Sequence, residues 1–293
     1  MAGTMRGILL AGGAGSRLYP LTLVASKQLQ PVYDKPMVYY PLTNLIEAGI
    51  REICLISTPA DLPRFRGLLG DGSRFGVRLE YREQARPEGI AQAFRIAADF
   101  VEPDPVVLIL GDNLLLDSAP LRDAVRSFAG GATVFGLSVP DPERYGVVEL
   151  DSAGNPVALE EKPLSPKSEW AVPGIYLYDA SVVEIARGMR PGPRGELEIT
   201  DVNREYLRRG QLTVRRLPAG TLCLDAGTST SLHEASVSVQ RSEDSRGVRI
   251  GCPELAALQS GFITRESMAA VVAGMPRCEY RGHLERLLET PLH

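Results

Sequence analysis

The chain is poor in lysine, histidine and cysteine, and it lacks any apolar run that could cross a bilayer. Of the 32 basic residues among 293, only Lys27, Lys35, Lys162 and Lys167 are lysines; the other 28 are arginines, so each lysine stands out. His233, His283 and His293 do not cluster, and Cys54, Cys223, Cys252 and Cys278 form no Cys-x-x-Cys pair. This argues against a zinc site or a disulfide framework and for the free thiols of a cytoplasmic protein, with Cys54 as core in Ile53-Cys54-Leu55-Ile56. Apolar runs such as Val106 to Leu110 fall far short of the roughly 18 residues of a membrane span. No signal-peptide pattern precedes the first glycine loop, so no membrane partner is expected. The 36 acidic residues leave a net charge of −4 without a basic block, so the electrostatic footprint of a nucleic-acid binder is missing. What remains is an ordinary globular composition, 44% hydrophobic, able to bury a large core.

The pattern is that of an α/β protein: a Rossmann-like, mostly parallel sheet flanked by helices, followed by a small antiparallel part and C-terminal helices. Strands are expected near 6–10, 52–57, 78–82, 106–110 and 132–138, and helices at 37–49, 61–69, 88–101 and 118–128. Ile90, Phe94, Ala97 and Val101 fall on one face of the third helix, as core. A hairpin is expected from 145–150 and 157–161, further strands at 170–178 and 212–224, and helices at 180–188 and 197–208. From 228 onward the chain reads as mostly helical. The expected division is a domain over 1–240, in two parts to about 140 and over 141–227, then a helical appendage over 241–293. There is no repeat and no long linker.

The strand Arg6-Gly-Ile-Leu-Leu-Ala11 runs into Gly12-Gly13-Ala14-Gly15-Ser16-Arg17, a loop whose glycines let backbone N–H groups approach phosphate oxygens. It is not a P-loop, because no Gly-Lys-Ser/Thr follows, and it lacks the third glycine of the dinucleotide fingerprint. Alone, it reads equally as a plain turn.

Context decides between these. Leu10 to Pro20, Ser26-Lys27-Gln28-Leu-Gln-Pro31 and Tyr33-Asp-Lys-Pro-Met37 resemble the signature of the sugar-1-phosphate nucleotidyltransferases, or sugar-nucleotide pyrophosphorylases. The likeness continues through Pro87-Glu-Gly-Ile-Ala-Gln-Ala93, Leu110-Gly-Asp-Asn113, Asp141-Pro-Glu-Arg-Tyr-Gly-Val-Val-Glu149, Leu159-Glu-Glu-Lys-Pro-Leu164 and Arg194-Gly-Glu-Leu-Glu-Ile-Thr-Asp201. It implies transfer of a thymidylyl group from dTTP to α-D-glucose 1-phosphate with Mg²⁺, in a homo-oligomer, commonly a tetramer. The same chemistry with another nucleotide, or with a cyclitol or amino-sugar phosphate, is the alternative; a non-catalytic sugar-nucleotide sensor is the reading from another class. Both reactants are anions, so the site needs a phosphate loop, cations for both partners and carboxylates for a metal.

The resemblance assigns residues accordingly. Arg17 and Lys27 fall to the β- and γ-phosphates and the departing pyrophosphate, where each alone would read as a surface charge. Leu10, Ala11, Gly12, Gly13, Gly15, Ser16 and Gln28 fall to the nucleotide, and Gln84 and Gly89 to its base. Asp112 and Asp225 are the metal ligands, each following an apolar run; Asp225 alone reads also as a helix cap. Lys162 and Arg194 fall to the sugar phosphate, Glu161 to a sugar hydroxyl, and Asn113, Tyr145, Gly146 and Val172 to the sugar-side wall, although Val172 reads equally as core. Arg194 also precedes a helix expected to start near Glu196. Glu198, Asp201 and Glu205 read as a solvated helix face, and Tyr33, Tyr39 and Tyr40 as packing.

The chain departs from the pattern at Leu114-Leu115-Leu116-Asp117-Ser118, where relatives carry an aromatic, a glycine and a histidine near a regulatory nucleotide site; this argues against feedback inhibition here. Cys223, Pro173 and Ala226 also differ, next to sugar- and metal-side residues. If arginine has replaced the dispensable lysines, Lys27→Arg and Lys162→Arg lower turnover and Lys167→Arg does not, because a planar fork replaces a compact point charge. Equal tolerance at all three positions would contradict this, as steady-state rates will show.

Overall fold

A computed structural model describes residues 4–13, 15–192 and 194–289. Ala14 and Pro193, within the glycine loop and before Arg194, lie outside them. Among the described residues, ten strands form one sheet. From one edge the order is Pro156–Glu161, Gly146–Leu150, Trp170–Val172, Ala132–Ser138, Ile175–Tyr178, Val106–Leu110, Arg6–Leu10, Glu52–Ser57 and Arg78–Glu83, with Leu212–Arg216 also paired to Ala132–Ser138. Seven of these strands point one way, and Pro156–Glu161, Trp170–Val172 and Ile175–Tyr178 run against them. The fold is therefore the expected mixed α/β architecture with a mostly parallel sheet.

Alternation along the central strands fills two cores at once. Leu9, Leu55, Val107 and Ile109 face one, with Leu42, Leu45 and Ile46 of the helix Tyr39–Glu47. Ile8, Leu10, Cys54, Ile56, Val106 and Leu108 face the other, with Phe94, Val182, Val183, Val202 and Tyr206. A strand covered on both faces reads as a continuous apolar run, which is why Val106–Leu110 has no polar residue.

Three expected elements are interrupted, one by a long-range backbone contact and two at proline. The expected helix 88–101 is two short helices, Gln92–Ile96 and Ala98–Val101. Its first turn is lost because Glu88 and Ala91 bond instead to the backbone of Leu197, at 2.7 and 3.1 Å. Phe94, Ala97 and Val101 are core as expected, whereas Ile90 is only partly buried and lines a cleft. The expected strand 170–178 breaks at Pro173-Gly174, and its two pieces flank Ala132–Ser138 on opposite sides, pairing outward with Gly146–Leu150 and Val106–Leu110. The expected strand 212–224 is Leu212–Arg216 and Cys223–Asp225, split by a turn closed by Thr221 N–H on the Pro218 carbonyl. Tyr39 and Tyr40 are packing residues, but Tyr33 is exposed, with φ 57°.

The helix Ser229–Arg246 passes through residue 240 unbroken, then come Pro253–Gln259, Arg265–Ala273 and Glu279–Glu289. No described helix is long and apolar enough to cross a membrane. A buried charge cluster ties the first of these helices to the N-terminal hairpin of Pro31–Val32 and Lys35–Pro36. Lys35, with its side chain 1% exposed, pairs with Asp34 and with Glu243 at 3.0 Å; Arg249 pairs with the same two carboxylates, and Ile250 N–H bonds Glu243 at 2.9 Å. Glu243→Ala leaves Lys35 underpaired in the interior and should lower stability by about 3 kcal/mol in urea unfolding. A loss within about 0.5 kcal/mol, the range of ordinary surface changes, would show that the cluster is not a clamp.

Candidate active site

Two carboxylates far apart in the chain meet at the carboxyl end of the central strand. Asp112 follows Val106–Leu110, where Gly111 N–H bonds the Leu10 carbonyl at 2.9 Å. The next residues, Asn113–Leu115, pair antiparallel with Cys223–Asp225, which sets Asp225 opposite Asn113. Lys27 lies between the two acids: its Nζ bonds Asp112 Oδ2 and stands 3.5 Å from Asp225 Oδ1, with the side chain only 8% exposed. Asp225 is not a helix cap, since Thr228 fills that role through a capping box with Ser231. A Cβ on Gly227 would lie 3.0 Å from the Asp225 carboxylate and 3.2 Å from the Arg17 guanidinium, so the missing side chain is what lets both groups approach.

On one side of Asp112 lies a pocket of about 220 Å³, lined by Leu10, Gly12, Gly13, Gln28, Gln84 and Gly89 among others. The Gln84 side chain lies over Gly12, where any Cβ would overlap its Oε1, and its Nε2 donates to Gln92 Oε1 at 2.7 Å. Gln92 in turn donates to Glu88 at 2.9 Å, which fixes the amide orientation. Gln28 donates to the Gly12 carbonyl at 3.1 Å, while its Oε1 is buried without a protein partner. A buried acceptor without a protein partner is a place for an ordered water. Gly89, at φ 107°, passes against the Leu197 backbone, which a Cβ would meet at 2.5 Å. Ala11 is buried beneath the loop, Gly15 is left-handed at φ 57°, and Ser16 opens an exposed single turn with Arg17.

On the other side a cleft of about 560 Å³ is lined by Arg17, Asp112, Asn113, Tyr145, Gly146, Glu161, Lys162, Val172 and Asp225. Val172 both lines the cleft and packs in the core. Glu161 accepts from Thr200 Oγ1 at 2.5 Å and from Arg194 at 3.0 Å. Lys162 stands at φ 45°, a region unfavourable for a side-chain-bearing residue, held there by its N–H on the Tyr145 carbonyl at 3.0 Å. Its side chain is half exposed and lies only 3.8 Å from Glu161. Arg194 also pairs with Glu198 at 2.7 Å, so Glu198 turns inward rather than forming a solvated face. The helix behind it starts at Ile199 rather than near Glu196. Burial, reinforced by the Asp225 carboxylate, raises the Tyr145 phenol above its ordinary range, so it is a neutral donor at pH 7.

Ile90, Leu110 and Asp112 line both spaces, so the two adjoin at Asp112, whereas Asp225 lines only the larger. Lys27 joins them through its ion pairs and Arg194 through Glu161; Ala11, Gly15 and Ser16 support the loop rather than line either space. Arg144, Tyr176, Thr200 and Asn203 also line the larger cleft, and Gln92 orients Gln84. Arg144, Thr200 and Gln92 sit inside strings already singled out in the sequence, but only their neighbours carried a role there. A separate cavity of about 640 Å³ is bordered by Leu115, Leu116, Asp117 and Ser118, the segment that departs from the family pattern.

A sequence model described as nucleotidyl transferase matches residues 6–242. The chain is 52% identical over 282 residues to a glucose-1-phosphate thymidylyltransferase of Actinoplanes sp., covering 96% of this chain and 93% of that one. It is likewise 52% identical over 287 residues to one from Mycolicibacterium smegmatis, covering 97% and 99%. A Bacillus anthracis glucose-1-phosphate thymidylyltransferase solved with sucrose superposes with a TM-score of 0.77 at 41% identity, covering 85% of this chain and 98% of that one. A UDP-glucose pyrophosphorylase solved with UDP-glucose shares the fold, with a TM-score of 0.73 at 20% identity over 83% of this chain and all of that one.

In the wall of the larger cleft, Gly174 N–H donates a buried hydrogen bond to Asn113 Oδ1 at 2.8 Å. Asn113→Ala strands that donor and should cost about 2 kcal/mol in chemical denaturation, whereas Asn113→Asp retains the acceptor and costs less. Equal losses would mean that the acceptor does not matter.

Proposed function

The chain belongs to the nucleotidyl transferase family, and from that premise we propose that it converts dTTP and α-D-glucose 1-phosphate to dTDP-glucose and pyrophosphate. The observation that supports this most is that a small pocket and a larger cleft adjoin at Asp112, which Lys27 links to Asp225. A phosphate oxygen of the sugar phosphate attacks the α-phosphorus of dTTP as the bond to pyrophosphate breaks on the opposite side. No covalent intermediate is needed, so positioning and charge carry the catalysis.

Each side chain then has a task. Gln84, with one amide N–H committed to Gln92, offers its carbonyl to the thymine ring N–H. The glycine loop, Arg17 and Lys27 take the triphosphate. Lys162 and Arg194 hold the sugar phosphate, while Glu161 and the sugar-side wall bind hydroxyls. Asp112 and Asp225 fit Mg²⁺, because two carboxylates already converge on the position of one cation and phosphate oxygens with water complete a hard-oxygen shell. When bound, Mg²⁺ would screen the phosphate charge and stabilise the departing pyrophosphate. A cytoplasmic location fits the nucleotide substrate and the four free thiols.

Pyrophosphate release by the purified chain tests the reading. Asp112→Asn should abolish turnover without loss of fold by circular dichroism. Lys162→Ala should raise the KM for glucose 1-phosphate by at least about tenfold, the loss of one charge-assisted phosphate contact, and leave the KM for dTTP little changed. Negligible turnover of glucose 1-phosphate beside rapid turnover of a cyclitol or amino-sugar phosphate would refute the acceptor.

A further inference from the structure

Lys27 is drawn to two places. Its backbone sits beside the glycine loop: a Cβ on Gly15 would lie 3.5 Å from the Lys27 Cβ. Its ammonium is at the other end of the stem, between Asp112 and Asp225. The backbone is held by a tight turn over Lys27–Leu29, closed by Gln30 N–H on the Lys27 carbonyl at 3.0 Å. Side-chain rotation alone can therefore move the charge from the aspartates toward the loop, as a flexible four-carbon stem allows.

We propose that Lys27 and the divalent cation are alternative occupants of the space between Asp112 and Asp225, exchanged when a triphosphate on the glycine loop draws the ammonium away. The inference deepens the reading above and rests on it for the triphosphate. Asp112 Oδ2 and Asp225 Oδ1, the oxygens nearest the ammonium, are also the ones that converge on a single cation. The remaining Asp112 oxygen accepts from Asn113 Nδ2 at 3.3 Å. An ammonium and a dication cannot share those oxygens without a strong like-charge repulsion in a site where solvent screening is weak. With Lys27 in place the pair carries a net charge of −1, and the metal must compete with a tethered cation. Once the ammonium turns to the phosphates, two bare carboxylates face each other and the metal becomes their counter-ion. Metal and nucleotide thereby bind with positive coupling, each removing the other's competitor.

The test is metal affinity, not turnover. Mn²⁺ titrated into the full chain without nucleotide, followed by the loss of its free electron paramagnetic signal, should bind Lys27→Met at least about tenfold more tightly than the wild-type chain, about 1.4 kcal/mol. Lys27→Gln should show the same direction and serves where Lys27→Met does not fold. Lys27→Arg keeps the charge and should stay within about threefold of wild type, under 1 kcal/mol on the same scale. Adding Asp112→Asn to Lys27→Met should remove the gain. Equal or weaker Mn²⁺ binding by both neutral variants, or a gain that survives Asp112→Asn, overturns the exchange. Wild-type turnover of dTTP and glucose 1-phosphate is measured separately, so the substrate assignment can fail while the metal competition holds, and the reverse.

Discussion

The short antiparallel pairing of Asn113–Leu115 with Cys223–Asp225 is the constraint on which the site depends. It lies off the main sheet, yet it carries Asp225 across to Asp112 and to Lys27, helped by Ala226 N–H on the Asp112 carbonyl at 3.4 Å. What holds it is apolar burial. Leu114 and Leu116 are buried with Leu18, Tyr40, Leu232 and Val239, while Leu115 faces the core under Tyr39–Glu47. The leucine run that departs from the family pattern is thus the inner strand of this pairing, and its far side borders the separate 640 Å³ cavity. The residues that break the pattern form the support of the aspartate pair.

Most cations around the cleft are paired before any substrate arrives, while Arg17 forms no ion pair among the described residues. Lys27 is shared by two aspartates, Arg194 by Glu161 and Glu198, and Arg144 by Asp141. Lys162 is the least restrained of the paired cations, half exposed and 3.8 Å from its nearest carboxylate. A site of this kind binds anions mainly by exchange of partners, not by filling an open positive hole, which moderates affinity while keeping each paired cation oriented. The strained backbone of Lys162 fits the same logic, since the Tyr145 carbonyl fixes where that lysine starts.

Much of this was legible in the sequence where a single physical cause dominated. Doubly buried strands announce themselves as apolar runs, and the five parallel-pattern strands fall within a residue of the expected bounds. The expectations failed where long-range backbone contacts overruled local preference. Residues 88–91 have helical spacing but bond to Leu197, and the stretches 170–178 and 212–224 have strand composition but break at proline. At the site, residue types and motif order brought together Asp112 and Lys162, which share a cleft, and the glycine loop, which lines the pocket beside it. Contacts made through a third residue left no local signal: Gln92 behind Gln84, Thr200 behind Glu161, and Glu198 turned inward onto Arg194. The lysine scarcity singled out Lys35 without a role for it, and its place is in a buried charge cluster with Asp34 and Glu243.

The central claim is that Asp112 and Asp225 form one cation position between a nucleotide pocket and a sugar-phosphate cleft. Anomalous diffraction from crystals grown with Mn²⁺ and a non-hydrolysable dTTP analogue tests it most directly. The account predicts a single strong peak between the two carboxylates, with the Lys27 ammonium turned onto the phosphates. A peak bound elsewhere, or Lys27 still bridging the aspartates beneath an occupied triphosphate, would contradict it.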